Sequence, residues 1–189
     1  MHREAAVTRP TGRALAILVT TLATASAGQA PFVLDSNALG PMKLCARLAS
    51  VGRVFPQARD TVIRAEGNTR WPAKIVSLDS TTWVFVESSW ADTTHVWRIS
   101  TNSPRFRTRR GYRVGMKLGE LISKGEHFTA EIAEGQLGLL IVSERIGLGI
   151  DDQAAAAFPY NWPAGADATK RVDPNARITY LAAGGDCRH

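Results

Sequence analysis

Apolar and polar positions alternate, or run apolar for a few residues, in short stretches separated by Gly, Asn, Asp and Ser. This is the pattern of β-strands, and it predicts strands over Asp60–Glu66, Ala73–Leu78, Thr81–Ser88 and His95–Thr101. It returns over His127–Ala133, Leu137–Val142, Arg145–Ile150 and Arg177–Ala182. A segment of helical spacing precedes each set. In Gly40–Gly52, Pro41 suits the first helical position, Met42, Leu44, Leu48 and Val51 form an apolar stripe, and Gly52 suits the stop. In Gly115–Gly125, Leu118, Leu121 and Ile122 share a face, Glu120 and Lys124 complement the helix dipole, and Gly125 closes the helix.

The order of one short helix and about four strands thus occurs twice. Met42-Lys43-Leu44 recurs as Met116-Lys117-Leu118. The expectation is an α+β fold with helices on one face of antiparallel sheet. Two related halves, about 36–101 and 103–187, would form one domain spanning 28–189. Residues 151–176, rich in Ala, Pro, Asp and Asn, read as a long loop with one helical turn.

The N-terminus changes the setting. Arg3, Arg9 and Arg13 precede the apolar run Ala14–Ala25, and small residues follow it, as in a secretory leader over residues 1–27. The run is too short for a permanent membrane helix, and no later segment reaches that length, so no transmembrane anchor is expected. The expected location is periplasmic or secreted. Removing the leader takes away three arginines and one glutamate, so the formal charge of +6 falls to +4. That is too modest to argue for nucleic acid as a partner. Cys45 and Cys187, alone in an oxidising compartment, read as a disulfide. A metal would need further ligands, and His95, His127 and His189 are not at ligand spacing, so no metal site is expected.

Two surfaces carry candidate chemistry. The segment Arg105–Gly125 opens with Arg105, Arg107, Arg109, Arg110, Arg113 and Lys117. In an extended run Arg105, Arg107 and Arg109 emerge on one face, and beside a helix start they suit an anionic headgroup, a polyanion or an acidic protein. The competing reading is a solvated strand-to-helix joint whose arginines pair with acids such as Asp79, Glu87 or Glu120. The second surface is aromatic. Trp83 and Phe85 share one face of a predicted strand while Val84 and Val86 take the other, with Trp97 nearby. Such a strand lies between two layers or shows one face to a partner. No GxxxxGK[ST], GxSxG or HExxH pattern occurs, so neither a cofactor nor a catalytic residue is assigned. Asp151-Asp152 reads as a turn signal rather than a cation site.

Across Ser103–Leu118 the chain resembles a group of small exported bacterial proteins of unassigned function. They carry a T-x-R-G-x-R-V-G stretch before a short helix, matched here by Thr108, Arg110, Gly111, Arg113, Val114 and Gly115. The helix-then-strands order is also similar to β-lactamase-inhibitor-type proteins and small outer-membrane assembly factors, which implies binding rather than catalysis. The functional expectation is a non-enzymatic extracytoplasmic binding protein that recognises a protein or an anionic envelope component. The alternative is an envelope hydrolase whose site is assembled from scattered residues.

Overall fold

The computed structural model describes residues 32–64, 69–133, 136–156, 158–159, 161–185 and 187; the leader predicted over residues 1–27 lies outside the described residues. The first described element is not the expected helix. Strand β1 (Val33–Asp35) pairs with β2 (Ala38–Leu39), which folds back onto β3 (Met42–Lys43). Gly40 turns the corner at φ +55°. Its amide donates to the Val33 carbonyl at 2.9 Å. Beyond β3 the backbone is held by distant chain. Cys45 N–H donates to Val96 O and Val96 N–H donates to Ala46 O, each at 2.8 Å. Helix survives only as a 3-10 turn at Leu48–Ser50 running into α1 (Val51–Val54).

The eight longer strands fall close to where the alternation placed them. The first four are β4 (Arg59–Arg64), β5 (Arg70–Ser77), β6 (Trp83–Glu87) and β7 (Arg98–Thr101). Strand β8 (Arg107–Thr108) then pairs with β1 in parallel, and α2 (Leu118–Ile122) follows. The second set is β9 (Phe128–Ala133), β10 (Gln136–Ile141), β11 (Ile146–Ile150) and β13 (Ile178–Gly184). Between β11 and β13 lie α3 (Asp152–Ala155) and the short β12 (Ala166–Asp167). The large sheet has the order β12-β9-β10-β11-β13-β7-β6-β5-β4, and every neighbouring pair is antiparallel. It therefore consists of two antiparallel meanders joined side by side through their last strands, with β12 on one edge. A second sheet, β3-β2-β1-β8, is small.

The architecture corrects the expected α+β class. Among the described residues strand accounts for 41% and helix for 11%, and the three α-helices there are of four or five residues. There are no helix-plus-strand halves. The second expected helix shrinks because its entry is pulled into the sheet. Gly115 N–H donates to Ile178 O at 2.8 Å, Ile178 N–H to Met116 O at 3.0 Å, and Leu118 N–H to Ala176 O at 2.9 Å. Its exit is as expected. Gly125 at φ +81° puts Glu126 N–H on Leu121 O and its own N–H on Ile122 O, the two bonds of a Schellman stop.

Register decides which residues form the core. Val76, Val84, Thr101, Leu181, Leu148, Leu139 and Ala130 stand opposite one another across seven strands, so they project from one face. All seven are buried. Leu34, Leu39 and Met42 of the small sheet pack into the same cluster, together with Phe106, Tyr112, Leu118 and Leu121. The 151–176 stretch contains the expected single turn, α3, with Asp151 as its N-cap accepting from Ala154 N–H at 2.9 Å. The chain ends are tied by Cys45–Cys187, with Cα atoms 5.4 Å apart. Among the described residues no helix is long and apolar enough to cross a membrane.

Candidate functional site

The arginine segment is a turn before it is a surface. Thr108 N–H donates to Tyr112 O at 2.9 Å and Gly111 N–H to Thr108 O at 3.0 Å. Arg109 and Arg110 thus occupy the tip, and Gly111 supplies the φ of +85° that closes it. Exposure alternates from Arg105 to Arg109, with Phe106 and Thr108 buried, so Arg105, Arg107 and Arg109 do emerge on one side. They do not act together. Arg105 lies 3.8 Å from Asp79, and Arg109 donates to Asp35 at 2.8 Å. Arg107 and Arg113 are exposed and form no ion pair among the described residues. Lys117 donates to Asn175 Oδ1 at 3.3 Å. The backbone N–H at the start of α2 is already used, because Glu120 accepts from Lys117 N–H at 2.9 Å.

Arg110 has the strongest tie. Its guanidinium donates to Glu126 Oε1 and, at 3.2 Å, to Ser143 Oγ. Glu126 is buried, and it also accepts from the Tyr112 hydroxyl at 2.7 Å and from the Ser143 hydroxyl. One carboxylate thereby joins the turn, the start of β9 and the β10–β11 connection. Its position immediately after the helix-closing Gly125 was the available sequence clue, but nothing local marks it as the partner of Arg110. Above it opens a cleft of about 410 Å³ lined by Asp35, Ser36, Asn37, Arg109, Arg110, Ser143 and Glu144. Glu144 accepts from Arg110 N–H at 3.0 Å. Charges of both signs are already matched inside the cleft, so it is a poor trap for a simple anion.

Burial, and then the hydrogen bond to Glu126, push the Tyr112 phenol up to about 12 from an ordinary 10.0. A raised folded-state value means that the protein keeps its proton where the unfolded chain loses it. The stability from this group is complete below about pH 10 and is lost between about 10 and 12. Tyr112→Phe should therefore flatten the alkaline fall in stability over that window. Denaturant midpoints measured at successive pH values test this, and an equally steep fall in the variant would refute it.

The aromatic residues occupy the opposite side of the large sheet. Val84 and Val86 point into the core, so Trp83 and Phe85 point away from it, as does Ile75, which pairs with Phe85. Trp83 and Phe85 meet edge to face, with ring centroids 6.2 Å apart. All three are half-buried, and none packs against the core cluster. Tyr180, also half-buried, lays its ring over Gly149, where a Cβ would lie 2.0 Å from the ring. Trp97 is half-buried with the Arg98 guanidinium 5.1 Å above its ring, and Arg98 pairs with the buried Glu87. The arginine segment therefore joins the small sheet through β8 and the aromatic pair belongs to the large one, with Arg105 reaching Asp79 in the β5–β6 turn.

His95 is not placed as the centre of a catalytic relay. His95 Nδ1 lies 2.7 Å from Asp92 Oδ2 and 2.9 Å from Thr94 Oγ1. A relay needs the hydroxyl on the other ring nitrogen. Here both partners crowd Nδ1, and hydrogen bonds from Thr94 hold the Asp92 carboxyl well below the usual carboxylate range. Asp92 is thus a loop organiser. Among the described residues no group of His, Cys, Asp and Glu is disposed to hold a metal ion.

A nine-stranded antiparallel sheet with the core cluster on one side, beside a small four-stranded sheet, defines a mostly β protein. The chain is similar in structure to the uncharacterised protein yfeY from Escherichia coli, with a TM-score of 0.56 and 12% identity. The match covers 81% of this chain and 99% of that one, and at such identity it speaks to the fold alone. No protein-family model and no curated protein matches the sequence.

Proposed function

We propose that this is a non-enzymatic binding protein of the extracytoplasmic space, and that a protein partner docks on the outer face of the large sheet. The observation carrying this reading is the placement of Trp83, Phe85 and Ile75, half-buried, on the side away from the core cluster. A sheet face of aromatic and aliphatic side chains outside the core has the composition of an interface centre, and Arg98 beside Trp97 adds a charged rim. The Cys45–Cys187 bridge supports the compartment, because disulfides persist where thiols are not kept reduced. In this reading the arginine turn serves mainly to hold the fold, and Arg107 and Arg113 are its charges without an ion pair among the described residues.

A photo-crosslinking residue placed at Phe85 should give a discrete adduct in intact cells, whereas one at the exposed Asp173 should not. Trp83→Ala should weaken that adduct's formation about thirtyfold, the effect of losing an aromatic anchor worth about 2 kcal/mol. Equal adducts at both positions, or none at either, would remove the aromatic face from consideration.

A further inference from the structure

We infer that strand β4 is a self-complementary edge through which two copies of this chain pair, joining their large sheets into one. The inference stands apart from the proposed docking face and starts from backbone direction. Pro72 O accepts from Ser88 N–H at 3.2 Å and from Ser88 Oγ at 2.7 Å, so Pro72 faces β6. Glu87 O accepts from Trp97 N–H at 2.8 Å, so Glu87 faces β7, which sets the same alternation from the other side. Pro72 stands opposite Val62, and Ala73 opposite Thr61. In an antiparallel ladder a residue's N–H and C=O point the same way, and facing pairs alternate. Arg59, Thr61 and Ile63 therefore bond to β5, while the N–H and C=O groups of Asp60, Val62 and Arg64 point outward from the sheet. No described strand lies beyond them.

This edge has no bulge, no proline and no lysine, and its charges, Arg59, Asp60 and Arg64, are of both signs. The pairing of β4 with β5 runs from Arg59 to Arg64 without a register shift. Val62, at its centre, is 53% exposed. Only registers that set outward-facing residues against one another form hydrogen bonds. The symmetric one centred on Val62 places Val62 against its own copy and Asp60 against Arg64 of the second chain, twice. Asp60 already holds Lys74 at 2.5 Å, so in the pair it would lie between two cations. Moving the register by two residues either way breaks both of these charge pairs. Thr61 and Ile63 would then meet on the side bearing Trp83 and Phe85, making the outer face continuous across both copies.

Sedimentation velocity of the purified, disulfide-intact protein over a concentration series tests this. A reversible dimer is expected. Val62→Pro removes an outward N–H that β5 does not use, so it should abolish the dimer and leave the melting midpoint within a few degrees. Arg64→Asp sets like charges opposite each other and should raise the dissociation constant at least tenfold. Adding Asp60→Arg to it restores opposite charges and should recover most of that loss. A protein monomeric at every concentration overturns the inference, as does a Val62→Pro variant that still dimerises. A charge swap that fails to restore association in a protein with a normal melt also overturns it. A monomer whose position 62 crosslinks to other proteins in cells gives the edge to a foreign strand and overturns self-pairing.

Discussion

Glu126→Ala is expected to lose about 3–5 kcal/mol of folding stability, the range for removing one member of a buried charged pair. The carboxylate accepts from Arg110, Tyr112 and Ser143, and its side chain is 1% exposed. Deleting it strands the buried Tyr112 hydroxyl, which costs about 1–3 kcal/mol without a partner. It also removes the anchor that holds the 108–112 turn against the start of β9. Arg110 is half exposed and regains water, so Tyr112 and the vacated space account for much of the cost. Glu126→Gln should fall between the wild type and Glu126→Ala, because an amide oxygen still accepts from the phenol. Guanidinium unfolding curves read the difference. An alanine variant within about 0.5 kcal/mol of wild type would show that the carboxylate is incidental, and the basic segment would again be a candidate binding site.

Cys45→Ser with Cys187→Ser should cost a comparable amount. The two sulfurs join residues 142 apart in sequence, and the chain-entropy model assigns about 5 kcal/mol to closing a loop of that size. The bridge does more than shorten the unfolded chain. Cys45 adopts φ +62° between backbone bonds to Val96, and Gly185 N–H donates to Trp97 O at 3.1 Å. The disulfide therefore clamps both ends of the described chain onto the segment that leads into β7. The double variant should lose cooperativity first around Leu44–Leu48 and the end of β13, which hydrogen exchange would locate. Uniform loss of protection would make the effect purely entropic. Wild-type stability unchanged by a reductant would remove the argument from the bridge to an oxidising compartment.

These variants separate what was legible in the chain from what was not. The strands were legible because alternation and β-branched residues are local properties: Thr61-Val62-Ile63, Ile75-Val76 and Trp83–Val86 each carry the signal within a few residues. So was the stop at Gly125, which depends on one residue's freedom at positive φ. The helices were not, because apolar residues at helical spacing need not lie on a helix. Met42, Leu48 and Val51 are all buried in one core, yet they come from a strand, a 3-10 turn and a helical turn. The competing partner was Val96, whose backbone groups pair with Cys45 and Ala46.

Residue order by itself determined, to within about three residues, where the eight longer strands lie, and which two thiols are available to join. Tertiary structure alone decided that Val84 and Val86 rather than Trp83 and Phe85 enter the core, since both faces of that strand are apolar. It also decided that Arg110 is consumed by Glu126, and that β4 is left with its outward groups unpaired. Each of these depends on which distant segment arrives alongside, and local periodicity carries no information about a neighbour far away in the chain.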